Sequence, residues 1–147
     1  MSLFDRASSS QGRVGSALSP GEAFAVISLI SIAWDGNLPR KQTHNIYEAM
    51  SHLKLFNNCS EDDMLSMFET LCGIIRHEGV NNLFDAAKDS LTEDLREAAF
   101  AVATDLVLAD SMLGEDEDFL RELYQALRIP GDIGQKIIEV MLIKNRG

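Results

Sequence analysis

Two kinds of apolar pattern alternate along this chain. From Ala23 to Trp34 nearly every residue is apolar, with only Ser28 and Ser31 interrupting. The segment "REAAFAVATDLVLAD", which ends at Asp110, is likewise apolar on nearly every side. A helix that is apolar all round belongs in an interior, so these two are predicted to be central helices. The remaining segments are apolar on one face only, at helical spacing. Ile46, Met50 and Leu53 share one such face. Met64, Leu65, Phe68, Leu71, Cys72 and Ile75 share the next, and a shorter segment carries Leu83, Phe84 and Ala87. Phe119, Leu120, Leu123 and Leu127 follow, then Ile133, Ile137, Ile138, Met141 and Leu142. No alternating β-branched run is long enough to demand a sheet. The expectation is an all-α fold of about seven helices.

Local signals place the boundaries. Ser19 is an N-cap candidate with Pro20 at the first helical position and Glu22 completing a capping box. This helix is expected to run to about Trp34, where Asp35-Gly36-Asn37 breaks it. Pro39 starts the second, through about Lys54, before the turn residues Asn57-Asn58. Ser60 caps the third, with Asp63 in the capping-box position, and Gly79 ends it. A fourth helix spans about Val80 to Asp89, and Thr92 caps the fifth. The sixth runs from about Gly114 to Leu127, and Pro130 and Asp132 open the seventh. Residues 1–18, rich in Ser and Gly, are expected to form an arm, and residues 19–147 a single helical domain.

The chain also says one thing twice. "AVISLISIAWDGNLPRKQ" matches "FAVATDLVLADSMLGEDE" at a shift of 75 residues. Asp35 falls on Asp110, Gly36 on Ser111, Leu38 on Leu113 and Gln42 on Glu117. Two pseudo-symmetric helical hairpins around the two apolar helices fit this pattern better than a solenoid, which needs more copies.

An aspartate-glycine corner invites a calcium reading, and ligand counting tests it. With Gly36 at loop position 6, positions 1, 3 and 5 become Ser31, Ala33 and Asp35, and position 12 becomes Gln42. The second copy gives Leu106, Leu108 and Asp110, with Glu117 at position 12. Calcium takes six or more oxygens, so neither copy is an EF-hand. A second use for Asp35 and Asp110 is structural: a short carboxylate accepts backbone N–H groups and holds the start of the following helix. No Ser, Cys or His stands in a nucleophile-and-base arrangement, so no catalytic residue is assigned. His44 and His52 lie about 12 Å apart along one helix, too far to share a metal. Cys72 reads as core. Asp105, the lone charge within the fifth helix, is the position to inspect for an acid or base.

Composition narrows the classes. Apolar residues make up 46% and charged residues 24%, ordinary for a globular chain, while the net charge is −10. Without a basic cluster the chain is not expected to bind nucleic acid. Its longest apolar run falls short of the ~20 residues that span a bilayer. Cys59 and Cys72 form no CxxC pair, and no signal peptide is visible, so a cytoplasmic setting is expected.

The corner, its spacing and its duplication resemble the TerB-like family, the helical proteins associated with tellurite resistance. That family also includes the membrane-tethered domain of a DnaJ-type co-chaperone. Its mark is an apolar helix ending in Ala-Asp-Gly, an apolar residue three after the Asp and an acidic residue about seven after it. Here the copies are Trp34-Asp35-Gly36 with Leu38, and Ala109-Asp110-Ser111 with Leu113 and Glu117. Trp34 replaces a small residue, Gln42 an acidic one, and Ser111 a glycine. The resemblance covers residues 20 to 143 and implies a non-enzymatic stress-response protein that works through protein contacts, with self-association left open. It also admits a link to a divalent cation through the acidic stretch "DSMLGEDEDFLRE". The alternative is a dedicated divalent-metal-binding protein whose ligands are Asp110, Glu115 and Glu117, with Asp35 the weaker candidate in the first copy.

Overall fold

Ser19 and Glu22 exchange hydrogen bonds at the start of the first helix. The Glu22 N–H donates to Ser19 Oγ at 3.1 Å, and the Ser19 N–H donates to Glu22 Oε1 at 2.9 Å. Each bond satisfies a backbone donor that a helix start leaves open. Ser60 and Asp63 do the same at 3.0 and 3.1 Å, and Thr92 Oγ1 accepts from the Leu95 N–H at 3.3 Å. The three capped starts expected from sequence are therefore all present. The computed structural model describes residues 18–109 and 115–146, apart from the side chains of Glu115 and Asp116.

These residues form α1 (Pro20–Ile32), α2 (Arg40–Ser51), a 3-10 turn (Lys54–Phe56) and α3 (Glu61–Glu78). Then come α4 (Asn81–Asp89), α5 (Glu93–Ala109), α6 (Glu115–Ala126) and α7 (Gly131–Lys144). No strand occurs among the described residues. The all-α expectation holds. The 3-10 turn was not legible in the sequence. It carries Phe56 back onto α1, where its ring meets Phe24 edge-on at 6.0 Å.

The eight consecutive residues from Ala23 to Ile30 are all buried. Helix α1 lies between α5, its most extensive partner, and α4, with α3 and the 3-10 turn closing further sides. Helix α5 is central too, but not symmetrically so. Ala99, Phe100, Ala103, Thr104, Leu106 and Val107 are buried, while Ala101, Val102, Asp105 and Leu108 are only half-buried. The sequence suggested a helix enclosed on nearly every side. That outer face includes the small side chains of Ala98 and Ala101, which leave little apolar area in water. At α5's other end of the packing, Phe100 meets the Tyr124 ring of α6 edge-on at 5.7 Å. The Tyr124 hydroxyl accepts from Gln135 Nε2 of α7 at 3.0 Å.

Asp105 is paired. Its Oδ1 accepts from Asn145 Nδ2 at 2.9 Å and from Lys144 Nζ at 3.2 Å, pinning the end of α7 to the middle of α5. The charge inside an apolar helix is thus explained by a contact between two helices.

Ser28 and Thr104 are the polar exceptions in the core. Both are fully buried, and neither hydroxyl has a hydrogen-bond partner among the described residues. A buried hydroxyl without a partner keeps its desolvation cost. Ser28→Ala is therefore expected to stabilise the fold by about 1 kcal/mol. Urea unfolding checks this, and a loss of stability would show that the hydroxyl is satisfied after all.

Candidate functional site

The chain leaves α1 through a tight corner. The Ala33 N–H donates to Leu29 O at 2.6 Å, and the Gly36 N–H donates to Ala33 O at 2.8 Å. Asp35 closes on its own neighbourhood. One carboxylate oxygen accepts from the Asn37 N–H at 3.0 Å and the other from Asn37 Nδ2 at 3.1 Å. These two bonds, the backbone one first, hold the Asp35 carboxyl below the ordinary aspartate range. The residue caps the corner itself rather than the start of α2, whose N-cap is Pro39 with no side-chain bond. That corrects the sequence reading in one detail: the carboxylate acts two residues before α2's cap.

A depressed carboxyl pKa stabilises the fold above the unfolded value and loses that effect as pH falls through the folded one. Asn37→Ala is thus expected to raise the Asp35 midpoint towards that of an ordinary aspartate. Carboxyl-carbon NMR titration measures it directly. An unchanged midpoint would mean that the two bonds do not persist in solution.

Gly36 ties the corner to α3. Its carbonyl accepts from Arg76 Nη1 at 2.6 Å, across forty positions of sequence. Between the corner and α3 lies a cavity of about 280 Å³, lined by Leu38, Thr43, Phe68, Cys72 and Arg76 among others. Burial pushes the Cys72 thiol up, against a smaller downward pull from Arg76. A buried protonated thiol is a poor nucleophile and packs as a small apolar group.

The other side of the corner is open. Trp34 is 63% exposed, the residue directly after α1's C-cap at Ala33. It stands at a groove of about 420 Å³ between α4 and α6. Ile30 and Leu123 are buried at its base, with Phe84 and Phe119 half-buried along its sides. Asp85, Glu122 and Ala126 are exposed at its edge. Among the described residues no lysine or arginine lines it.

The acidic candidates of the second copy fare differently. Asp110 lies outside the described residues, as do Ser111 and Leu113. Glu115 opens α6, and its side chain is not described. Glu117 is exposed on the same helix, and the neighbouring Asp118 is engaged by Arg121. Among the described residues no three of His, Cys, Asp and Glu are placed to hold a metal ion. His44 and His52 sit 3.9 and 4.0 Å from the two oxygens of Glu48, all three exposed.

Sequence reasoning treated Trp34 only as a departure from a pattern. Its ring projects outward from the corner after α1's C-cap and is largely exposed. The apolar residues that flank it in space come from α4 and α6, far along the chain. Comparison with protein-family models, with curated proteins and with solved structures finds no match.

Proposed function

We propose that this protein acts by docking another protein at the Trp34 groove, in the non-enzymatic, stress-response manner that its TerB-like resemblance implies. One observation carries the reading: the single tryptophan of the chain is 63% exposed beside an apolar groove. Exposed aromatic rings over concave apolar surface are where binding energy concentrates in protein interfaces. Tryptophan left in water at such a place gains apolar burial only when something covers it.

Selection of peptides from a random library against the full chain tests this reading. Groove ligands are expected to blue-shift the emission of Trp34 and to lose binding to Ala126→Glu, an exposed position at the groove edge. A library that yields no ligand shifting Trp34, or only ligands indifferent to Ala126→Glu, would overturn the proposal.

A further inference from the structure

We infer that the groove's occupant is a cationic amphipathic helix of a partner protein; this rests on the docking reading above. Three observations choose that occupant.

The first concerns backbone. The groove walls are two helices, α4 and α6, and the base is the end of a third. Helices satisfy their own N–H and C=O groups, so these walls offer no row of free donors and acceptors. An extended peptide would lie there with its backbone unpaired, whereas a helix brings its hydrogen bonds with it. Helix α4 is nine residues long. A partner helix laid along it would place apolar anchors at i, i+3 or i+4, and i+7 over Ile30, Phe84 and Leu123.

The second concerns charge. Asp85 and Glu122 stand at the edge, and among the described residues no lysine or arginine lines the groove. Lys88 of α4 lies 4.0 Å from Asp85, and its side chain is itself mostly buried. A partner carrying Lys or Arg beside its apolar anchors complements that edge, and the exposed face of Trp34 offers the same cation a favourable ring. An acidic amphipathic helix would meet repulsion at the same place.

The third weighs against the simplest alternative. The chain carries a net charge of −10, so a second copy approaching this groove meets like charge.

The probe is a Leu/Lys helical peptide of about five turns with leucine on one face, compared with its Leu/Glu counterpart. Trp34 is the reporter, since no other tryptophan contributes. The full chain free in solution should emit at the wavelength of exposed tryptophan. Titration with the Leu/Lys peptide should give a saturable blue shift, and the Leu/Glu peptide none. Asp85→Asn with Glu122→Gln should weaken binding about three- to tenfold at low salt. Ala126→Glu separates groove docking from diffuse attraction, because it adds negative charge while obstructing the groove. Docking weakens in that variant, and diffuse attraction strengthens. All three positions are exposed, so the variants keep the fold, which far-UV circular dichroism verifies.

Equal binding of both peptides would overturn the charge inference and leave docking standing. Absence of any shift with either peptide would overturn docking as well. Tighter binding to Ala126→Glu would reduce the effect to diffuse charge. Emission already blue in the free chain would overturn the partner: independent of concentration it points to this chain's own segment, and growing with concentration it points to a second copy.

Discussion

Phe100→Ala is expected to cost about 3–5 kcal/mol of folding stability. Phe100 is fully buried in the middle of α5, among the largest side chains with no exposed surface. Truncation removes the transfer energy of the ring and leaves a cavity beside Tyr124 of α6. Helix α5 packs on α1, α2, α6 and α7, so it is held from several sides. The surroundings cannot easily collapse, because Tyr124 on the far side is held by its own hydroxyl bond to Gln135. Domains of this size are stable by about 5–15 kcal/mol, so the loss is a large fraction of the whole. Urea denaturation measures it, with Phe100→Leu as the comparison that keeps most of the volume and costs less than half as much. A double-mutant cycle with Tyr124→Leu should assign about 0.5–1.5 kcal/mol to the edge-on ring pair. A loss below about 1 kcal/mol in Phe100→Ala would mean that the α5 junction is loosely packed.

Gly36→Ala is the second large effect, expected at about 2–4 kcal/mol. Two causes add. Gly36 has φ +84°, a backbone region that a Cβ disfavours. An added Cβ would also stand 2.8 Å from the Cys72 carbonyl oxygen and 2.9 Å from the Arg76 amide nitrogen, both backbone atoms of α3. A side chain can rotate away, but the axis of α3 cannot, so the corner must lift and the Arg76 bond to Gly36 O is strained with it. Gly79 separates the two causes. Its φ is +80°, and no atom of the described residues lies within 4 Å of its Cβ position. Gly79→Ala should therefore cost only the backbone part, about 1–3 kcal/mol, because φ +80° with ψ 179° is a region that only glycine adopts readily. Equal losses at the two sites would show that α3 yields at the corner.

The contrast between these glycines marks how far the sequence could be read. That Gly36 ends a helix was legible from Asp35-Gly36-Asn37 alone. That it lies against α3 was not, since Cys72 and Arg76 are some forty positions away. The same division runs through the fold. Capping boxes at Ser19 and Ser60 are local chemistry within four residues, and both are present. The run from Ala23 to Ile30 states its own burial. Phe56 depends on a 3-10 turn that no periodicity announces, and its ring meets Phe24 some thirty positions earlier in the chain. Asp105 looked like a candidate for chemistry, yet its partners, Lys144 and Asn145, stand at the other end of the chain. The groove is the extreme case: α1, α4 and α6 each contribute a few residues, and no segment carries its signature. Of the acidic candidates, Asp35 is satisfied within its own corner. The second copy's Asp110 lies outside the described residues.

The burial of α1 also sets an order of events during synthesis. Helix α5, its principal cover, begins about sixty residues after α1 ends. At translation rates of about 5–20 residues per second, α1 waits about 3–12 seconds for that cover. Through that interval eight consecutive core residues have no finished interior to enter. Helix α4 arrives only shortly before α5 and covers one further side. A nascent chain halted before Glu93 would thus present its most apolar helix to the surrounding medium. The segment that the finished protein hides best is the one its unfinished form exposes longest, and it is there that a chaperone or an aggregate would first take hold.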